Sequence, residues 1–178
     1  INPGEVRRRH QVGPLDPTIL FCGRLDYQKG PDLLLEALPP VLQHRANAKL
    51  VFAGDGHMRS HLEHRAEDLG VAHAVRMLGY RGADALPGLF RMADVVAVPS
   101  RNEPFGIVVL EAWSAEKPVL VTHNSGAGEY VWHETNGLKV FDNPQSIAWG
   151  VCPVFDDFER ARWTRRNARR AVEQAFTW

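Results

Sequence analysis

The chain lacks net charge. Its 21 lysines and arginines balance 21 aspartates and glutamates. That balance removes the bulk electrostatic case for nucleic acid or an anionic membrane as partner, while leaving room for a local basic pocket. Cysteine is scarce: Cys22 and Cys152 are the two, and neither stands in CxxC spacing. No metal knuckle or disulfide framework is read from them, and a reducing, cytoplasmic setting is expected. No apolar run approaches the roughly 20 residues of a membrane helix, and no signal peptide is expected. There is no Walker A motif, which excludes a P-loop NTPase, and no HExxH. His57, His61 and His64 share a face by helical spacing, but without a cysteine nearby they read as polar helix surface, and no metal is expected.

What is present is an ordinary globular chain of 178 residues, 44% hydrophobic. A domain takes about 100–200 residues, so one domain is expected. The start, Ile1-Asn2-Pro3-Gly4, and the end, Phe176-Thr177-Trp178, do not read as natural termini, and a piece of a longer protein is expected. Residues 1–17, with Arg7, Arg8 and Arg9, read as a linker, and 18–178 as the domain.

Thr18–Cys22, Lys49–Ala53, Val75–Leu78, Asp94–Val98, Val119–Val121 and Leu138–Phe141 read as short apolar strands. Helices are expected from Asp32, cut or kinked at Pro39-Pro40, and at Met58–Leu69, Leu86–Met92, Ile107–Ala115, Ser146–Val151 and Asp156–Phe176. Gly70 reads as a left-handed helix stop. Trp113 and Trp149 read as core or near-core residues. Alternation of helices with continuously apolar strands is the signature of an α/β fold, a doubly wound, Rossmann-like parallel sheet.

Such sheets bind ligands outside the carboxyl ends of their strands, so the candidate chemistry lies in the loops that follow strands. The first runs Gly23-Arg24-Leu25-Asp26-Tyr27-Gln28-Lys29-Gly30. Arg24 offers a planar fork and Lys29 a point charge, a suitable pair for a diphosphate. A solvated basic loop accounts for the same residues. Gly54-Asp55-Gly56 begins like the dinucleotide fingerprint, but Arg59 stands where the third glycine belongs, and no acid is clearly placed downstream, which disfavours an NAD-dependent dehydrogenase.

After the fourth strand comes Ser100-Arg101-Asn102-Glu103-Pro104-Phe105-Gly106-Ile107, with Glu111 about two turns into the following helix. A helix start favours an anion, and a carboxylate can accept from two vicinal hydroxyls. A helix-favouring Glu103 and a surface Glu111 remain the plainer alternative. The loop after the fifth strand is small and polar, and carries His123 and Glu129 as candidate contacts.

Taken together, Gly23-Arg24 to Lys29-Gly30, Phe52 to Gly56, Gly79-Tyr80, Ala93-Asp94 to Pro99-Ser100, and Glu103-x7-Glu111 around Pro104-Phe105-Gly106 resemble the carboxyl-terminal, donor-binding half of a retaining GT-B glycosyltransferase of glycosyltransferase family 4. The resemblance implies a hexose donor that is a UDP-, ADP- or GDP-sugar, and no cofactor. It implies catalytic roles for Arg24 and Lys29 at the diphosphate and for Glu103 at the donor sugar. Gly23, Phe105, Gly106 and Ile107 would meet sugar or phosphate, Glu111 the ribose hydroxyls, and Tyr80 the base. The acceptor would be bound mainly by a second, amino-terminal domain not among these residues, so the fragment alone is expected to bind donor without transferring sugar. Asn143 to Gly150 resembles a segment of the glycogen synthase-like members, which points to glucose and an α-glucan. The arginines of Arg160–Arg170 read as a solvated face or as a surface toward the other domain. The competing reading is a non-catalytic nucleotide-binding module. Intact Arg24, Lys29, Glu103 and Glu111 argue against it.

Overall fold

A computed structural model describes residues 2–102, 106–123 and 137–156, together with 166, 167, 170 and 173. Six parallel strands form one sheet in the order β3-β2-β1-β4-β5-β6. They are β1 (Thr18–Cys22), β2 (Lys49–Ala53), β3 (Val75–Met77), β4 (Val95–Val98), β5 (Val119–Thr122) and β6 (Leu138–Val140). The helices are α1 (Pro3–Arg9), α2 (Pro31–His44), α3 (Arg59–Asp68), α4 (Leu86–Met92), α5 (Ile107–Ser114) and α6 (Pro144–Asp156).

Period-two alternation explains the continuously apolar strands. Ile19 and Phe21 enter a core with Leu34, Leu38 and Leu62. Leu20 enters the opposite core with Leu89, Val109 and Trp113. So α2, α3 and α6 cover one face, and α1, α4 and α5 the other. Each such large side chain, fully buried, contributes roughly 1.5–3 kcal/mol.

Three expectations change. First, α2 runs unbroken through Pro39 and Pro40. A proline inside a helix costs about 3 kcal/mol. Burial of Leu34, Leu35, Leu38 and Val41 along the same helix offsets that, with Pro40 on the solvent side. Second, the segment read as a linker carries α1. Asn2 caps it by accepting from the Gly4 amide at 2.8 Å. Arg7 anchors it, donating to the carbonyls of Gly13 and Asp16 at 2.9 Å and of Met92 at 2.6 Å. Third, Trp149 is 64% exposed on α6, whereas Trp113 is fully buried. Gly70 takes φ 72° at the end of α3, the left-handed stop expected of it. The helix expected over Asp156–Phe176 lies largely outside the described residues; 166, 167, 170 and 173 are helical.

Candidate functional site

The strand order reverses direction between β1 and β4, which pair directly, and a crevice opens there at the carboxyl ends of the strands. Two adjoining hollows occupy it. The larger, about 510 Å³, is lined by Gly23 and Arg24 after β1, Gly54 after β2, Tyr80 after β3, and Glu111 on α5. The smaller, about 170 Å³, is lined by Gly23 and Lys29 from the β1 loop, Ser100 from the β4 loop, and Gly106 and Ile107 at the start of α5. Cys22, Gly23 and Val108 are common to both.

The loops are shaped by backbone contact. The Gly23 amide donates to the Ala53 carbonyl at 3.2 Å, and the Leu25 amide to that of Asp55 at 2.9 Å. A Cβ on Gly54 would stand 1.7 Å from the Gly23 carbonyl oxygen, and one on Gly56 would stand 2.6 Å from that of Leu25. The glycines of Gly54-Asp55-Gly56 therefore let the β2 loop lie against the β1 loop. Asp26 caps a 3₁₀ turn, Tyr27–Lys29, by accepting from the Lys29 amide at 3.1 Å. Gly30 then turns left-handed at φ 71° to start α2. Gly79, at φ 75°, turns the chain after β3 and leaves Tyr80 80% exposed at the rim of the larger hollow.

Charge follows the same layout. Arg24 is 73% exposed, and its Nε lies 3.6 Å from Asp26, a loose surface contact worth little on its own. Lys29 is half-buried. Glu111 is also half-buried, and burial holds its carboxyl above the ordinary range. Burial, with the Glu111 charge adding to it, pushes the Cys22 thiol up to about 12.

Of the residues named from sequence, Gly23, Arg24, Tyr80 and Glu111 meet at the larger hollow, and Lys29, Gly106 and Ile107 join Gly23 at the smaller. Glu103, Phe105 and Glu129 lie outside the described residues. His123 is exposed and stacks on Phe141, with ring centroids 4.9 Å apart, at the ends of β5 and β6. His57 precedes α3, and His61 and His64 are exposed on it. Arg166 and Arg170 are exposed, while Arg160, Arg162, Arg165 and Arg169 lie outside the described residues.

Sequence reasoning missed Arg81, Leu86 and Phe90, which also line the larger hollow. Leu86 and Phe90 stand four apart on α4. That i, i+4 spacing is a usable signal, though it lies on a helix and not in a loop that follows a strand. Cys22 was legible as the last residue of β1. Among the described residues, no helix is long and apolar enough to cross a membrane.

Over residues 4–171 the chain matches the family described as glycosyl transferases group 1. It is 45% identical over 177 residues to an uncharacterised glycosyltransferase of Methanocaldococcus jannaschii, a match covering 98% of this chain and 45% of that protein. The crystal structure of Anabaena HepE in complex with UDP is similar, with a TM-score of 0.89 and 28% identity over 98% of this chain and 48% of that one. The carboxyl-terminal domain of a glycosyl transferase group 1 protein, LpcC, from Francisella tularensis shares the fold. Its TM-score is 0.86 at 21% identity, with 99% of this chain and 93% of that domain covered. The chain thus spans less than half the length of the first two proteins and nearly all of the third.

Proposed function

Because this chain belongs to the glycosyl transferases group 1 family and has the fold of its carboxyl-terminal domains, we propose that it is the donor-binding half of a retaining hexosyltransferase. It takes a nucleotide-diphosphate sugar, and the longer protein transfers the sugar to an acceptor hydroxyl. One observation carries the reading. Cations of the β1 loop and the carboxylate of α5 converge on two hollows that share a wall at Gly23.

The larger hollow suits a nucleoside. Tyr80 offers a face for the base, and stacking there serves more than one base. Glu111 accepts from the ribose hydroxyls. Arg24 at this hollow and Lys29 at the smaller one reach the diphosphate from two sides, and the first turn of α5 offers amides without helical partners to an anion. Stabilising charge on the departing nucleoside diphosphate is then the chief catalytic work of this half, an electrostatic contribution of the kind that often dominates. Glu103 holds the donor sugar, with Phe105, Gly106 and Ile107 bordering sugar or phosphate.

Acceptor contacts come mainly from a preceding domain, and the reaction needs no metal or cofactor held by this half. The resemblance of Asn143 to Gly150 to glycogen synthase-like members supports glucose and an α-glucan product. The two cysteines, unpaired in the structure, suit a cytoplasmic enzyme.

The test is calorimetric titration of this domain with UDP, ADP and GDP, repeated for the best binder with Glu111→Ala. Saturable binding of one nucleotide, weakened at least tenfold by the substitution, supports the reading and names the base. A folded domain whose nucleotide affinity ignores Glu111 overturns the placement of the ribose. The sugar follows from assaying the full-length protein with donors of that base.

A further inference from the structure

Arg101 is not a lining residue of either hollow, yet its side chain is heavily engaged beside them. Its guanidinium meets Asp32, at the start of α2, as a two-pronged fork. Nη1 donates to Oδ1 at 2.9 Å and Nη2 to Oδ2 at 2.8 Å. Nη1 also donates to the Tyr27 carbonyl at 2.7 Å, and the guanidinium lies 3.8 Å from the centre of the Tyr27 ring. Its backbone amide donates to the Gln28 carbonyl at 2.8 Å. Arg101 and Asp32 are both largely shielded from water, where a forked, charge-assisted pair holds its geometry best.

These contacts join two loops. Tyr27 and Gln28 immediately precede Lys29 in the loop after β1. Arg101 stands two residues before Glu103 in the loop after β4. The junction is close: a Cβ on Gly30 would stand 2.0 Å from the Pro99 carbonyl oxygen. The β4 side is itself anchored, since the Thr122 hydroxyl donates to the Ser100 carbonyl.

The geometry points to Arg101, through Asp32 and the Tyr27–Gln28 backbone, as a positioning residue. It fixes Lys29 in register with Ser100 of the β4 loop, across the smaller hollow that both line, so that the diphosphate of the donor is met by a cation held in place. Arg101 does not touch the donor. This role rests on the donor-binding reading above. A lysine cannot replace it, because a single ammonium cannot reproduce the fork and lie flat on Tyr27 at once.

The experiment compares nucleoside diphosphate and nucleoside monophosphate of one base as ligands of the full-length protein, using UDP and UMP if uracil is preferred. Wild type, Arg101→Lys, Asp32→Asn and the double variant are measured, with circular dichroism as a check of folding. Arg101→Lys and Asp32→Asn each weaken diphosphate affinity about tenfold and change monophosphate affinity less than twofold. The double variant is no worse than the weaker single one, because both break one pair. In sugar transfer, kcat falls in the same order. If folded variants lose both ligands equally, or neither, the positioning role is overturned while donor binding stands. If wild type binds neither ligand with any base, the donor-binding reading fails and the role of Arg101 fails with it.

Discussion

Glu111 on α5 and Cys22 at the end of β1 share the wall of the larger hollow, and the carboxylate bears electrostatically on the thiol. Two partly buried groups, each made harder to ionise by burial, stand where an anionic ligand is proposed to bind.

The thiolate is the reactive form of cysteine, and burial together with Glu111 pushes Cys22 up to about 12. Cys22 is therefore expected to resist iodoacetamide at pH 8 in the folded protein and to react on unfolding. Glu111→Gln removes the smaller of the two causes and lowers the thiol part of the way, with burial still holding it up, so alkylation at pH 9 is faster in that variant. Peptide mass mapping reads both. Rapid labelling of Cys22 in folded wild type would contradict the arrangement.

Burial raises the Glu111 carboxyl, so its protonation begins at a higher pH than for an ordinary glutamate, about 4.3. In the proposed site the carboxylate offers an acceptor oxygen to each ribose hydroxyl, and protonation turns one of those oxygens into a donor. Nucleotide affinity is expected to weaken as pH falls through this raised value, and Glu111→Gln flattens that part of the profile. Stability of the unliganded protein moves the opposite way. A carboxyl raised by folding contributes fully below its unfolded value, and that contribution is lost as pH rises through the folded one. Calorimetry and thermal melts between pH 4 and 7 separate the two trends.

Lys29→Ala in the full-length protein is expected to lower kcat for sugar transfer by about 10²-fold, the scale of losing one preorganised charge-stabilising group. The melting temperature should shift little. Activity within a few-fold of wild type would remove Lys29 from the leaving-group site.

Gly54→Ala places a methyl group into the Gly23 carbonyl, where no flexible side chain can yield. We expect roughly 1–3 kcal/mol of lost stability and a weakened nucleotide site, because the β1 loop must move. Gly70→Ala, with nothing within 4 Å of the added carbon, should cost stability through its positive φ alone and leave binding intact. Denaturant melts and titrations of the two variants make the comparison.

Asp16 accepts from the Gly13 amide at 2.7 Å, and Lys49 Nζ lies 3.3 Å away. Burial alone would raise its carboxyl, but the Gly13 and Lys49 contacts outweigh it and hold it below the usual range. Its contribution is present above the unfolded value, about 3.9, and is lost as pH falls through the lowered folded one. Asp16→Ala should cost about 1–2 kcal/mol at pH 7. The gap to wild type should narrow toward pH 3, as thermal melts at the two pH values would report.

The fold was legible because its strands obey one rule throughout. β1 sends Ile19 and Phe21 to one core and Leu20 to the other, which requires an unbroken apolar run. Proline misled in α2, because local propensity carries no information about the packing of Leu34, Leu38 and Val41 that overrides it. The near side of the site was legible wherever residues follow a strand, as with Arg24, Lys29 and Tyr80. Glu111 was reached through the motif that contains it. What stayed hidden depends on contacts far apart in the chain. Arg101 carries no signal of its own in the sequence, and nothing in its neighbours announces Asp32, 69 positions earlier. Arg7, seen only as part of a basic run, proved to be the anchor of α1 through a carbonyl 85 positions away.

The wall shared by the two hollows has a consequence for inhibitor chemistry. Cys22, Gly23 and Val108 border both hollows, and of the three Gly23 alone carries no side chain. A fragment found for the larger hollow and another for the smaller can be joined across it by a short, stiff tether. The second then binds at the high effective concentration that tethering confers, and the joined compound gains affinity that neither fragment has alone.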